Sequence, residues 1–143
     1  MAPSCTQSLY THIHKKSNNN LERTRADAAK LRGYDSDHTR AEMTRIFSER
    51  SSGYVPYPWQ LDVSEAFLLG LNCVVIAGTG AGKTTPFLLP LLVEKNKKII
   101  IISPLKVLQR DQVHFFFAFN ISSYLMFSQR QRFKKNGNFC MRT

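Results

Sequence analysis

Asn72–Pro90 reads NCVVIAGTGAGKTTPFLLP, and the fold turns on this stretch. Cys73, Val74, Val75 and Ile76 are a short apolar run that predicts a strand. Ala77, Gly78, Thr79, Gly80, Ala81 and Gly82 then make a loop of small residues, and the apolar run after Lys83 and Thr84 predicts a helix. Strand, glycine-rich loop and helix in that order is the setting in which backbone N–H groups converge on a phosphate. The glycines let the chain curl with no bulky side chain at the contact. Lys83 supplies a point charge for the outer phosphates, and the Thr84 hydroxyl stands at the start of the helix, placed to hold Mg²⁺. Thr79, Gly80, Ala81, Gly82, Lys83, Thr84 and Thr85 are the candidate phosphate contacts, with Lys83 and Thr84 nearest the chemistry. Ala77 occupies the first glycine position of the general G-x-x-x-x-G-K-[ST] pattern. A bare glycine turn beside a surface lysine is the plainer alternative, and it leaves the apolar segments on both sides unaccounted for.

Downstream, Phe87, Leu88, Leu91 and Leu92 face a sheet, Pro86 falls in or near the first helical turn, and Pro90 bends or ends the helix. Ile99–Ile102 is a continuous β-branched run, expected to be a strand covered on both faces of a parallel sheet. Strand, loop, helix and strand make a right-handed βαβ unit. Ser103 suits a helix N-cap and Pro104 a first helical residue. Together with Leu105 and Lys106 they form a candidate phosphate-backbone contact for nucleic acid, at a helix N-terminus with added charge. A capped amphipathic helix with no ligand is the alternative. Upstream, Gly53-Tyr-Val-Pro-Tyr-Pro-Trp-Gln60 reads as an extended, turning path, followed by a helix over Leu61–Leu71. Trp59 reads as core. The Gln60 amide, with one acceptor and two donors, can pair with both N6–H and N7 of an adenine, and a surface glutamine capping a helix is the plainer alternative.

Gln60, the A-x-T-G-x-G-K-T loop and the Ser103–Gln112 run S-P-L-x-x-L-x-x-D-Q stand in the order found in superfamily-two helicases. The chain resembles the RecQ-like and DEAD-box members, with the RecQ-like spacing closer, over about residues 39–113. The resemblance implies a partial RecA-like domain of class α/β, a parallel sheet with flanking helices. It further implies ATP and Mg²⁺ as cofactors, Gln60 reading adenine with Tyr57 or Tyr54 stacked on it, and single-stranded or partly duplex DNA as partner. Activity would be that of an ATP-dependent 3'-5' DNA helicase in an intracellular, nuclear setting. The RecQ-like basic residue between Tyr54 and Gln60 is absent. Also absent are an Asp-Glu pair after an apolar strand, the Ser-Ala-Thr element and a second RecA-like domain. The expectation is therefore a fragment truncated before the acidic motif, binding nucleotide and nucleic acid without hydrolysing or unwinding. Two other readings stay open, a non-catalytic binding fragment and a P-loop kinase or other NTPase in which Gln60 has no adenine role.

At 143 residues there is room for about one domain. Twenty Lys and Arg against ten Asp and Glu give a net charge of +10, which favours a polyanionic partner, nucleic acid or an anionic membrane surface. No apolar run is long enough to span a bilayer, and no secretory signal is read at the N-terminus. Cys5, Cys73 and Cys140 are odd in number and far apart, which fits a reducing compartment. Residues 1–38 are expected to be a basic N-terminal extension. Within it, residues 1–20 are disordered, His12 and His14 are solvated, and a helix runs from Asn19 to Gly33 with a thin apolar face of Leu21, Ala28 and Leu31. A second helix, Thr39–Arg50, sets Met43, Ile46 and Phe47 on one side. Residues 114–143 are expected to be an irregular, divergent tail with an aromatic cluster, five basic residues and no Asp or Glu. Such a tail could bind single strands by stacking, or it could be sequence never selected as this fold's continuation. The sequence leaves oligomeric state open.

Overall fold

The computed structural model describes residues 5–94, 96, 99–103, 106–119, 124–127, 133–135 and 138–140. Its helices are α1 (Cys5–Arg32), α2 (Ser36–Arg50), α3 (Pro58–Leu68), α4 (Thr85–Val93) and α5 (Lys106–Ala118). Its strands are β1 (Ile100–Ser103), β2 (Tyr124–Phe127), β3 (Phe133–Lys135) and β4 (Asn138–Cys140).

α4 is the centre of the core. Leu88, Leu89, Leu91 and Leu92 are buried with Met43 and Phe47 of α2, Leu68 of α3, and Phe116 and Phe119 at the far end of α5. Phe47 stacks on Phe119 at 5.4 Å between ring centroids, and Phe67 on Phe87 at 5.5 Å. Apolar residues cover nearly the whole circumference of α4, as in a helix enclosed by its neighbours. Pro90 does not end it. Proline removes the donor for the carbonyl four residues back, here that of Pro86, and the buried Ser64 hydroxyl of α3 lies 3.1 Å from that carbonyl and 2.6 Å from the Gln60 carbonyl, with one proton between the two. The helix continues to Val93.

Helix starts differ from the sequence expectation where a capping side chain sets them. Asp35 accepts from the His38 N–H at 2.9 Å, so α2 opens at Ser36 rather than Thr39. Pro58 opens α3 three residues before the expected Leu61, because proline suits the first helical position and the Gln60 side chain accepts from the Tyr57 N–H at 2.8 Å. α1 begins at Cys5, so the residues read as disordered are helical from there on. Leu21 and Ala28 dock its C-terminal half, and extension beyond a docked segment adds one hydrogen bond per residue fixed. Leu31, expected on the apolar face, is exposed. Gly33, at φ +63°, turns the chain out of α1.

The parallel sheet expected around the loop does not form from the segment before it. Cys73–Ile76 belongs to no strand and has no ladder partner among the described residues, and Val74 and Ile76 are 92% and 89% exposed. A strand exists only through its neighbour's hydrogen bonds, so the expected βαβ unit is not assembled there. β1 pairs instead with β2, parallel, with Ile100 opposite Tyr124 and Ser103 opposite Phe127. β3 and β4 extend the sheet by antiparallel pairing in the order β1-β2-β3-β4. β1 is covered on one face only: Ile99 and Ile101 lean on the core while Ile100 and Ile102 are exposed. The stretch after Val113 is not irregular as expected, since it holds the end of α5 and three strands.

Candidate nucleotide site

The loop from Ala77 to Thr84 curls back on itself. Gly80 at φ +80° and Gly82 at φ +70° occupy a backbone region that side-chain-bearing residues rarely adopt. Ala81 N–H donates to Gly78 O at 3.3 Å, and Thr85 N–H to Gly82 O at 3.1 Å. Between these bonds, the N–H groups of Gly80, Gly82, Lys83 and Thr84 have no partner among the described residues. Four open donors in one short curl at the start of α4 are what an anion requires. A Cβ at Gly78 or Gly80 would meet nothing within 4 Å, so the space beside the loop is clear. Thr84 caps α4 without a side-chain hydrogen bond, leaving its hydroxyl uncommitted, while Thr85 is buried behind it.

Lys83 is exposed and folded over the loop, donating from Nζ to Gly78 O at 2.7 Å and Ala77 O at 3.0 Å. The ammonium is thus held within the curl by carbonyl dipoles, beside the open donors.

Gln60 is buried and fully engaged. Its Oε1 accepts from Tyr57 N–H at 2.8 Å, and its Nε2 donates to Gly82 O at 3.0 Å and Ala81 O at 3.3 Å. The side chain ties the start of α3 to the loop, a role not read from the sequence. The capping half of this role matches the plainer sequence alternative of a helix-capping glutamine, although the side chain is buried and not at the surface. Tyr57 and Tyr54 are both exposed, and Trp59, read as core, is half-buried. Of the candidate nucleic-acid contacts, Pro104 and Leu105 lie outside the described residues. Ser103 closes β1 and Lys106 opens α5, with no side-chain surroundings described for either.

Behind the site, α3 carries a buried carboxylate that sequence reasoning missed. Glu65 is fully buried and accepts from Arg25 of α1 at 2.5 Å and Arg40 of α2 at 3.1 Å. The Ser36 hydroxyl and, at 3.1 Å, the Tyr34 hydroxyl complete its shell. Asp62 shares both arginines, at 2.7 Å from Arg40 and 3.4 Å from Arg25. Burial pushes the Glu65 carboxyl up, but the hydrogen bonds from Arg25, Ser36 and Arg40 outweigh it and hold the group below its ordinary value. Burial, with the Glu65 charge alongside, pushes the Tyr34 phenol up to about 12. A single ionised side chain therefore joins three helices, and one of them also carries Gln60.

The loop thus presents a curl of open backbone donors at the start of a buried helix, with an ammonium and a hydroxyl beside it. The family model for the DEAD/DEAH box helicase matches residues 57–137, more than half of the chain, and the chain belongs to that family. The match starts at Tyr57, takes in Gln60 and the loop, and continues beyond Val113, where the motif resemblance stops. It supports a RecA-like domain of an ATP-dependent, nucleic-acid-binding helicase family. No solved structure matches the chain. No described helix is long and apolar enough to cross a membrane, and no described group of three His, Cys, Asp or Glu could hold a metal ion.

Proposed function

We infer that the chain is the ATP- and DNA-binding part of a RecQ-like, 3'-5' helicase, acting inside the cell and in the nucleus. The observation that carries the nucleotide half is the set of open N–H donors at Gly80, Gly82, Lys83 and Thr84, beside an ammonium and a free hydroxyl. These residues fit Mg²⁺-ATP. The four N–H groups would hold phosphate oxygens, Lys83 would leave the Ala77 and Gly78 carbonyls for the outer phosphates, and Thr84 would face the metal. An ammonium bonded to phosphate gains more than one bonded to neutral carbonyls, which favours the exchange. When bound, ATP supplies the phosphoryl group whose transfer drives such enzymes. The 143 residues contain no Asp-Glu pair to orient an attacking water, so the reading for them is binding without turnover of their own. The RecQ-like assignment, and DNA as partner, rest on the spacing of Gln60 and on the Ser103, Pro104, Leu105, Lys106 run.

For Gln60 to read adenine it must release the Ala81 and Gly82 carbonyls, so adenine recognition and loop release would be one event. Competition binding with ATP and GTP tests this. The wild-type chain prefers ATP, and Gln60→Ala loses the preference. Equal affinity of the wild type for both nucleotides would contradict the helicase-type reading and favour another NTPase.

A further inference from the structure

On the face of α1 that docks, cations are neutralised, and on the opposite face they are not. Arg25, facing α3, is bonded to Glu22, Asp62 and Glu65. Lys16, Arg23 and Lys30 are all exposed, and among the described residues none has an ion pair or hydrogen bond. At about 100° per residue, positions seven apart nearly eclipse, so these three fall on one line to within about 40°. Leu21, Arg25 and Ala28, which dock, point roughly the opposite way. His12 extends the same line toward the N-terminus, and Lys15 lies one step round. Residues 12–20 are exposed throughout, and Cys5–Leu21 contains no Asp or Glu. Asp27 is the one carboxylate close to the line.

We propose that this outer stripe of α1 is a second nucleic-acid contact, binding the phosphate backbone without reading sequence. The argument is charge complementarity. Three long cations spaced by about 10 Å along a straight helix can each reach a phosphate of a strand laid beside it, and none must first break an internal pair. A membrane surface fits less well. Interfacial helices bury a broad apolar face, whereas the described part of α1 exposes only Ile13 and Leu31 as large apolar residues. The stripe is separate from the loop, so its success or failure is independent of the nucleotide-site reading.

The test uses the full chain, a fluorescein-labelled 20-nucleotide single-stranded DNA without ATP, and anisotropy titrations between about 50 and 200 mM salt. The triple variant Lys16→Gln, Arg23→Gln, Lys30→Gln keeps good helix formers at exposed positions. It is expected to bind about tenfold more weakly at 0.1 M salt, with the salt dependence of log K shallower by about two. Unchanged affinity and slope, with helical circular dichroism intact, would overturn the proposal. Should the triple variant lose helix, Asp27→Asn decides instead, because removing the carboxylate is expected to tighten binding about threefold and no change would overturn it. Vesicles containing 30% phosphatidylserine provide the other arm. Vesicle binding that is lost in the triple variant while DNA binding stays the same would assign the stripe to lipid and overturn the proposal. ATP uptake by the same samples is expected to be unchanged, which separates this result from any failure at the loop.

Discussion

Gln60 Nε2 lies 3.0 Å from the Gly82 carbonyl oxygen, and a Cβ at position 82 would lie 2.6 Å from that same nitrogen. Gly82 is therefore fixed twice, by its backbone angle and by the side chain packed against it. Gly82→Ala must move either Gln60 or the loop, and at φ +70° it is strained in addition. Nucleotide affinity is expected to fall by about tenfold or more, since strain of this kind is worth about 1–3 kcal/mol. Calorimetry, with far-UV circular dichroism to show that the helices persist, checks it.

The Ser64 hydroxyl has one proton to share between the Gln60 carbonyl at 2.6 Å and, at 3.1 Å, the Pro86 carbonyl whose helical donor Pro90 lacks. Ser64→Ala removes that shared hydroxyl from both buried carbonyls, and a loss of about 1 kcal/mol is expected in urea unfolding. The second substitution Pro90→Ala restores a helical N–H to the Pro86 carbonyl. A double-mutant cycle is expected to show that Ser64→Ala costs less in the Pro90→Ala background. Equal costs in both backgrounds would separate the two residues.

Glu65 titrates with a value lowered by folding, despite its burial. The sign follows directly. The contribution is present above the unfolded carboxylate value of about 4.3 and is lost as pH falls through the lower folded-state value. Thermal melts are expected to show stability that is flat from pH 7 to pH 5 and then declines, and Glu65→Gln is expected to flatten that acid limb. Glu65→Ala is expected to cost about 3 kcal/mol, because Arg25 and Arg40 would lose the buried charge they share.

The glycine loop and the leucine run of α4 were legible because both are local patterns, but α4 was read as facing a sheet and is instead enclosed by Met43, Phe47, Leu68, Phe116 and Phe119, which only the tertiary packing brings together. That Cys73–Ile76 has no ladder partner among the described residues was not legible, since strand pairing is settled by distant segments, and β1 took β2 as its neighbour. The length of α1 was hidden for a cooperative reason. Residues that would not form a helix alone extend one that Leu21 and Ala28 have docked. Glu65 was not singled out in the sequence, because its burial depends on arginines 40 and 25 residues earlier in the chain. Gln60 was legible as a special residue, though its bonds to Ala81 and Gly82 are visible only in three dimensions.

The most direct measurement is isothermal calorimetry of the purified chain with ATP and magnesium, alongside Lys83→Ala. The account predicts saturable one-to-one uptake by the wild type, weakened at least about tenfold in Lys83→Ala through loss of a charge-assisted phosphate contact. Absence of binding by the folded wild type, or equal affinity in the two proteins, would contradict it.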